Sequence, residues 1–91
     1  TQGIDVDRYL YDQEIRVQKA WAKALAESKY LTSSEAQQLV STLEKARLKM
    51  EEDSFPWRFE DEDIHMNLER YMTTELGELG KKIHLGRSRN D

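Results

Sequence analysis

Residues 29–35 read Lys29-Tyr30-Leu31-Thr32-Ser33-Ser34-Glu35. Thr32 and Glu35 stand three apart, the spacing of a capping box. In that motif the Thr32 hydroxyl takes the amide of Glu35, and the Glu35 carboxylate reaches back to the amide of Thr32. A helix therefore starts here, and the chain before it must turn. Upstream, from Val6 to Ser28, the pattern is also helical: Leu10, Val17, Trp21, Ala24 and Leu25 recur at helical steps, and Tyr11, Ile15 and Ala22 widen the apolar stripe. Asp5 or Asp7 is suited to cap its start. Downstream, Ala36, Leu39, Val40, Leu43, Ala46, Leu48 and Met50 carry a second helix to about Asp53. Two long helices joined by so short a turn form an antiparallel pair.

Working outward, Ser54-Phe55-Pro56-Trp57-Arg58-Phe59 breaks the second helix, because Pro56 cannot continue the backbone ladder. Phe55, Trp57 and Phe59 read as a loop tucked over the bundle. Glu60-Asp61-Glu62-Asp63 then opens a third helix, its acidic residues complementing the positive end of the helix dipole. Ile64, Leu68, Tyr71, Met72 and Leu76 supply the buried face, and Gly77 and Gly80 are expected to end it. Residues 81–91 read as a polar loop. The fold class expected is all-α: one domain over 1–91, with helices at about 6–28, 33–53 and 61–77 and a polar arm at 78–91. It is a small bundle with a thin core.

Composition supports this. The 91 residues are 35% charged and 37% hydrophobic, with one Pro and four Gly, which suits amphipathic helices with broad solvated faces. The net charge of −4 argues against a general nucleic-acid surface. There is no Cys, hence no disulfide framework and no thiolate metal site, as suits a cytoplasmic protein. No apolar run approaches the roughly 20 residues of a membrane span. The chain opens Thr1-Gln2-Gly3 and stops at Asn90-Asp91. Neither end reads as a natural terminus, so a piece of a longer protein is expected.

Two segments carry chemistry. His84-Leu85-Gly86-Arg87-Ser88-Arg89-Asn90-Asp91 places two guanidinium groups among small polar residues. Arg87 and Arg89 are each able to grip a carboxylate with two parallel hydrogen bonds. Ser88 and Asn90 offer both donors and acceptors. By spacing alone a solvated basic tail explains the run as well as a grip for a small carboxylate-bearing molecule does. In Asp61-Glu62-Asp63-Ile64-His65, Asp61 and His65 share a helix face, so Asp61 or a neighbour is suited to hold the imidazole in one tautomer. The simpler reading is an acidic first turn with an incidental His. No spacing favours a metal site.

Taken together these segments resemble one family. Asp61-Glu62-Asp63-Ile64-His65, then Asn67, Glu69 and Arg70, then Gly80-Lys81-Lys82-Ile83-His84-Leu85-Gly86-Arg87-Ser88-Arg89-Asn90-Asp91, are similar to the argininosuccinate lyases and the related delta-crystallins. Asp7-Arg8 with Leu10, and Leu31-Thr32 with Glu35, also fit. The resemblance runs from Ile4 almost to the end of the chain. It implies membership of the aspartase/fumarase superfamily and a cytoplasmic homotetramer. The reaction implied is reversible cleavage of argininosuccinate to arginine and fumarate, in arginine biosynthesis and without metal or organic cofactor. On the matched motif, Ser88, Arg89 and Asn90 are expected to bind substrate, with Arg87, Asp63, His65 and Gln18 in support. The proton-abstracting Ser and its His partner lie beyond residue 91 in the family, so no catalytic base or acid is assigned here, and the chain alone is expected to be inactive.

The sequence also departs from the family pattern. Val17-Gln18 stands where the family has Gly-Ser, the Ser there contacting substrate. Leu85 replaces a Thr, and Leu68 splits the Asn-Glu pair. These departures leave two alternatives: a catalytically silent homologue or self-associating helical module, and a lyase for another N-substituted aspartate.

Overall fold

The structure, a computed structural model, describes residues 8–58 and 64–83. Among them there are no strands. Helix α1 spans Arg8–Glu27, α2 spans Ser33–Glu51, and α3 spans Ile64–Leu76. The chain is helical again over 78–83, here called α4. The fold is all-α, as the apolar periodicity predicts.

The turn between α1 and α2 is built as its residue types demand. Thr32 takes extended backbone and caps α2: its hydroxyl accepts from the Glu35 amide at 3.0 Å, and its own amide donates to Glu35 Oε1 at 2.9 Å. Such a cap is worth about 1 kcal/mol. At the other side, the Tyr30 amide donates to Leu25 O and the Lys29 amide to Ala26 O, with Lys29 at φ 72°. That pairing closes α1 by satisfying its last carbonyls. The end of α2 repeats it, with Ser54 N donating to Lys49 O, Asp53 N to Met50 O, and Asp53 at φ 62°.

The core is one cluster drawn from all four helices and the two connecting loops. Ala22, Leu39, Leu43, Ala46 and Leu68 are completely enclosed, with Ile15 and Met72 nearly so. On α1 the buried face is Tyr11, Ile15, Gln18, Ala22 and Leu25. This corrects the sequence reading: Leu10, Val17 and Ala24, expected inside, face outward. Each lies one residue before a buried position, a rotation of about 100° on a helix. The pattern had two overlapping apolar stripes, and α2 covers the one containing Ile15 and Ala22. On α2, Leu48 likewise faces solvent.

Phe55 is buried against Trp57, with ring centroids 4.6 Å apart, and against Tyr71 at 5.1 Å. The Pro56 loop thus folds onto α3. Phe59 and the expected acidic start of the third helix, Glu60 to Asp63, lie outside the described residues, as do the cap candidates Asp5 and Asp7.

The two glycines after α3 do different work from that expected of them. Gly77 ends α3 with φ 59°. Gly80 sits inside α4, so it terminates nothing. It allows α4 to lie directly on the backbone of Met72 and Thr73. Residues 81–83 are therefore helix rather than polar loop. Ile83 is buried, and its carbonyl accepts from Trp21 Nε1 at 3.3 Å. Lys82 Nζ reaches the Glu35 carboxylate at 3.3 and 3.4 Å and lies 5.5 Å above the Tyr30 ring. The segment leading to residue 84 is thereby held against both α1 and the α1–α2 turn.

An ion network ties α1 to α2. Glu44 accepts from Lys19 at 2.6 Å and from Arg47 Nε at 3.0 Å, while Arg47 and Arg8 both donate to Glu51 at 2.9 Å. The Arg47 guanidinium first, then the Lys19 ammonium, holds the Glu44 carboxyl at about 2, against an ordinary 4.5. A depressed carboxylate contributes stability above its unfolded value and loses it as pH falls through the folded one. The Glu44 contribution is thus complete above about 4.5 and gone below about 2. Its side chain is 39% exposed, which limits the pair to about 1 kcal/mol. Acid titration of thermal unfolding should show this loss in the wild type. The Glu44→Gln variant should start less stable and fall less steeply; a curve parallel to wild type would remove the network from the account.

Candidate functional site

The best-built polar cluster on the described residues lies where α1 meets α3. His65 enters from the first turn of α3 and Glu14 from the middle of α1. His65 Nδ1 and Glu14 Oε2 are 2.8 Å apart. On the other side of the ring, Nε2 lies 2.7 Å from Glu69 Oε2, an ion pair across one helical turn. Gln18, one turn after Glu14, donates from Nε2 to Glu14 Oε2 at 2.9 Å and lies 3.3 Å from His65 Nδ1. Both ring nitrogens thus face carboxylate oxygens. The side chains of His65, Glu14 and Glu69 are 33%, 22% and 27% exposed. Gln18 is 3% exposed.

A second polar centre sits beside it on α3. Asn67 is 2% exposed. Its Oδ1 accepts from the Arg58 amide at 2.8 Å and from Arg70 at 3.0 Å, and Nδ2 donates to Arg58 O at 3.4 Å. Arg70 also donates to Pro56 O at 2.6 Å. These bonds fix the end of the Pro56 loop to α3. They satisfy a buried amide and leave it no freedom to meet a ligand.

Of the residues singled out in the sequence, the structure brings His65 and Gln18 together. Asp61 and Asp63, and Arg87, Ser88, Arg89 and Asn90, lie outside the described residues. The partner expected for His65 was an acidic neighbour in its own helix. Glu69 fills that role from the C-terminal side, and Glu14 comes from 51 positions away. Nothing in local spacing marks Glu14. Val17, which stands where the family has Gly, is 49% exposed on this chain and does not crowd the cluster. Among the described residues no helix is long and apolar enough to cross a membrane.

Comparison with known proteins agrees along the whole chain. The family model described as lyase matches residues 1–91. The argininosuccinate lyase of Nitratidesulfovibrio vulgaris strain Miyazaki F is 46% identical over 91 residues, all of this chain and 20% of the relative. That of Desulfovibrio desulfuricans is also 46% identical, and that of Methylococcus capsulatus 44%, over the same coverage. The chain spans about one fifth of the length of these curated relatives.

Proposed function

Because the chain belongs to the lyase family over residues 1–91, we propose that it is the N-terminal part of an argininosuccinate lyase, which cleaves argininosuccinate to arginine and fumarate in arginine biosynthesis. The observation that carries this reading is the 46% identity to a protein of that name along all 91 residues. On this reading Ser88, Arg89 and Asn90 grip the substrate, and Arg87, Asp63, His65 and Gln18 support the site. The whole protein is a cytoplasmic homotetramer working without cofactor.

The chemistry suits those residue types. A base removes a proton from the carbon beside a carboxylate, and negative charge spreads into that carboxylate. Fixed guanidinium and amide donors stabilise this charge more than they stabilise the ground state. The leaving nitrogen departs as part of the guanidinium of arginine. His65 stands between two carboxylates, a placement that suits the supporting role, with base and acid expected from beyond residue 91.

The test is fumarate release from argininosuccinate by the full-length protein, followed by ultraviolet absorbance. No release above background at millimolar substrate would sink the reading and favour a silent homologue. In an active enzyme, Asn90→Ala is expected to lower kcat/KM roughly tenfold, the worth of one hydrogen bond to substrate. Unchanged kcat and KM would remove Asn90 from the site.

A further inference from the structure

Glu14 Oε2 is the meeting point of two donors from different helices: Gln18 Nε2 at 2.9 Å and His65 Nδ1 at 2.8 Å. Gln18 is as buried as the apolar core around it. An amide in that position must find an acceptor within the fold or lose the free energy of its solvation. Glu14 is that acceptor. The Gln18 amide is thus committed inward and does not take the place of a substrate-gripping Ser. Its effect falls on Glu14, whose carboxylate it steers toward α3.

Glu14 in turn decides where His65 stands. α3 packs mainly on α2 and meets α1 only lightly, and the Glu14–His65 bond is a polar tie between α1 and the start of α3. With Nδ1 bound to Glu14 and Nε2 facing Glu69, the imidazole cannot rotate without giving up these two contacts. A third of the His65 side chain still faces outward, enough for a ring edge or face to meet a ligand.

We infer that Glu14 is a positioning residue of the lyase site, acting through His65, and that Gln18 fixes Glu14 in turn. The inference rests on the argininosuccinate lyase reading and adds to it two α1 residues whose task is to hold a third.

The experiment uses the full-length enzyme and a double-mutant cycle of Glu14→Gln and His65→Asn, with kcat, KM and Tm measured for each. Glu14→Gln keeps the size and removes the charge. It should lower kcat about tenfold, the scale of a small misplacement near the reacting atoms, with KM changed less than about twofold. In the His65→Asn background the same substitution should have almost no further effect on kcat, because the route runs through His65. Full additivity of the two kcat losses would overturn the inference. So would a Tm loss with unchanged kcat, the mark of a purely structural contact. Should Glu14→Gln fail to fold, Gln18→Met decides: a kcat lowered about threefold supports the inference, and an unchanged kcat overturns it. If the unmutated enzyme releases no fumarate, the lyase reading itself fails and takes the inference with it; an active enzyme with indifferent variants sinks the inference alone.

Discussion

Leu43→Ala is expected to remove most of the stability of the 91-residue chain. Leu43 is fully enclosed in the middle of α2 and belongs to the one cluster that joins the helices. Truncating such a leucine costs about 2–5 kcal/mol, the transfer term plus the cavity it leaves. A domain of this size buries a modest fraction of its surface, and folded domains stand only about 5–15 kcal/mol above their unfolded state. Each kcal/mol moves the midpoint by about 4–8 °C at this chain length. Thermal unfolding followed by circular dichroism should therefore show a fall of at least about 10 °C. A shift of a degree or two would mean that the core collapses around the gap, or that α2 is less central than its burial indicates. Leu48→Ala, on the exposed side of the same helix, serves as the comparison and should move the midpoint little.

Leu43 and Leu48 also mark what the sequence makes legible. Both lie on the apolar pattern of α2, and only the packing of α1 and α3 distinguishes them. The existence of the helices follows from local signals. The Thr32–Glu35 box predicts the start of α2, and the structure makes both of its hydrogen bonds. Which face of α1 turns inward does not follow, because Leu10, Val17 and Ala24 compete with Tyr11, Ile15, Ala22 and Leu25 as equally regular stripes. The helix rotates so that Ile15 and Ala22 meet α2, and that choice is a tertiary fact. The candidate site divides in the same way. His65 stands out because acidic residues share its helix. Glu14 does not, since its partner is 51 residues away and a glutamate in a charged helix carries no signal of its own. Gln18 reads as a ligand contact when placed opposite a family Ser, yet its depth in the core gives it an inward role. Ser88, Arg89 and Asn90 rest on motif resemblance, which local physics matched only as far as a grip for carboxylates.

Gly80 shows how a residue with no chemistry reaches the site. A Cβ built there would lie 2.6 Å from the carbonyl carbon of Met72 and 2.8 Å from Thr73 Cα, and closer still to Met72 O. All are backbone atoms of α3, so no rotamer change relieves the clash. Gly80→Ala must push α4 away from α3. Ile83, buried three residues on, would lose part of its cover, and the Trp21 Nε1 bond to Ile83 O, already 3.3 Å, would lengthen. Overpacking of this kind costs about 1–3 kcal/mol. Exposing part of Ile83 adds to this, up to about 1.5–3 kcal/mol for complete loss. Gly77→Ala is the instructive contrast. Gly77 has positive φ and nothing within 4 Å of a built Cβ, so its cost is the left-handed backbone alone, about 1–2 kcal/mol. Gly80→Ala is thus expected to be the more damaging, although Gly77 holds the unusual dihedral. On the proposed reading the difference grows when activity is measured, because α4 leads directly to the residues assigned to substrate. In the full-length enzyme Gly80→Ala should raise KM for argininosuccinate and lower kcat together, while Gly77→Ala lowers Tm with a smaller effect on turnover. In the 91-residue chain, fluorescence of Trp21, which bonds the displaced segment, reports the movement directly if Trp57 is first replaced by Phe. An emission spectrum identical with Gly or Ala at position 80 would show that α4 accepts the methyl without moving.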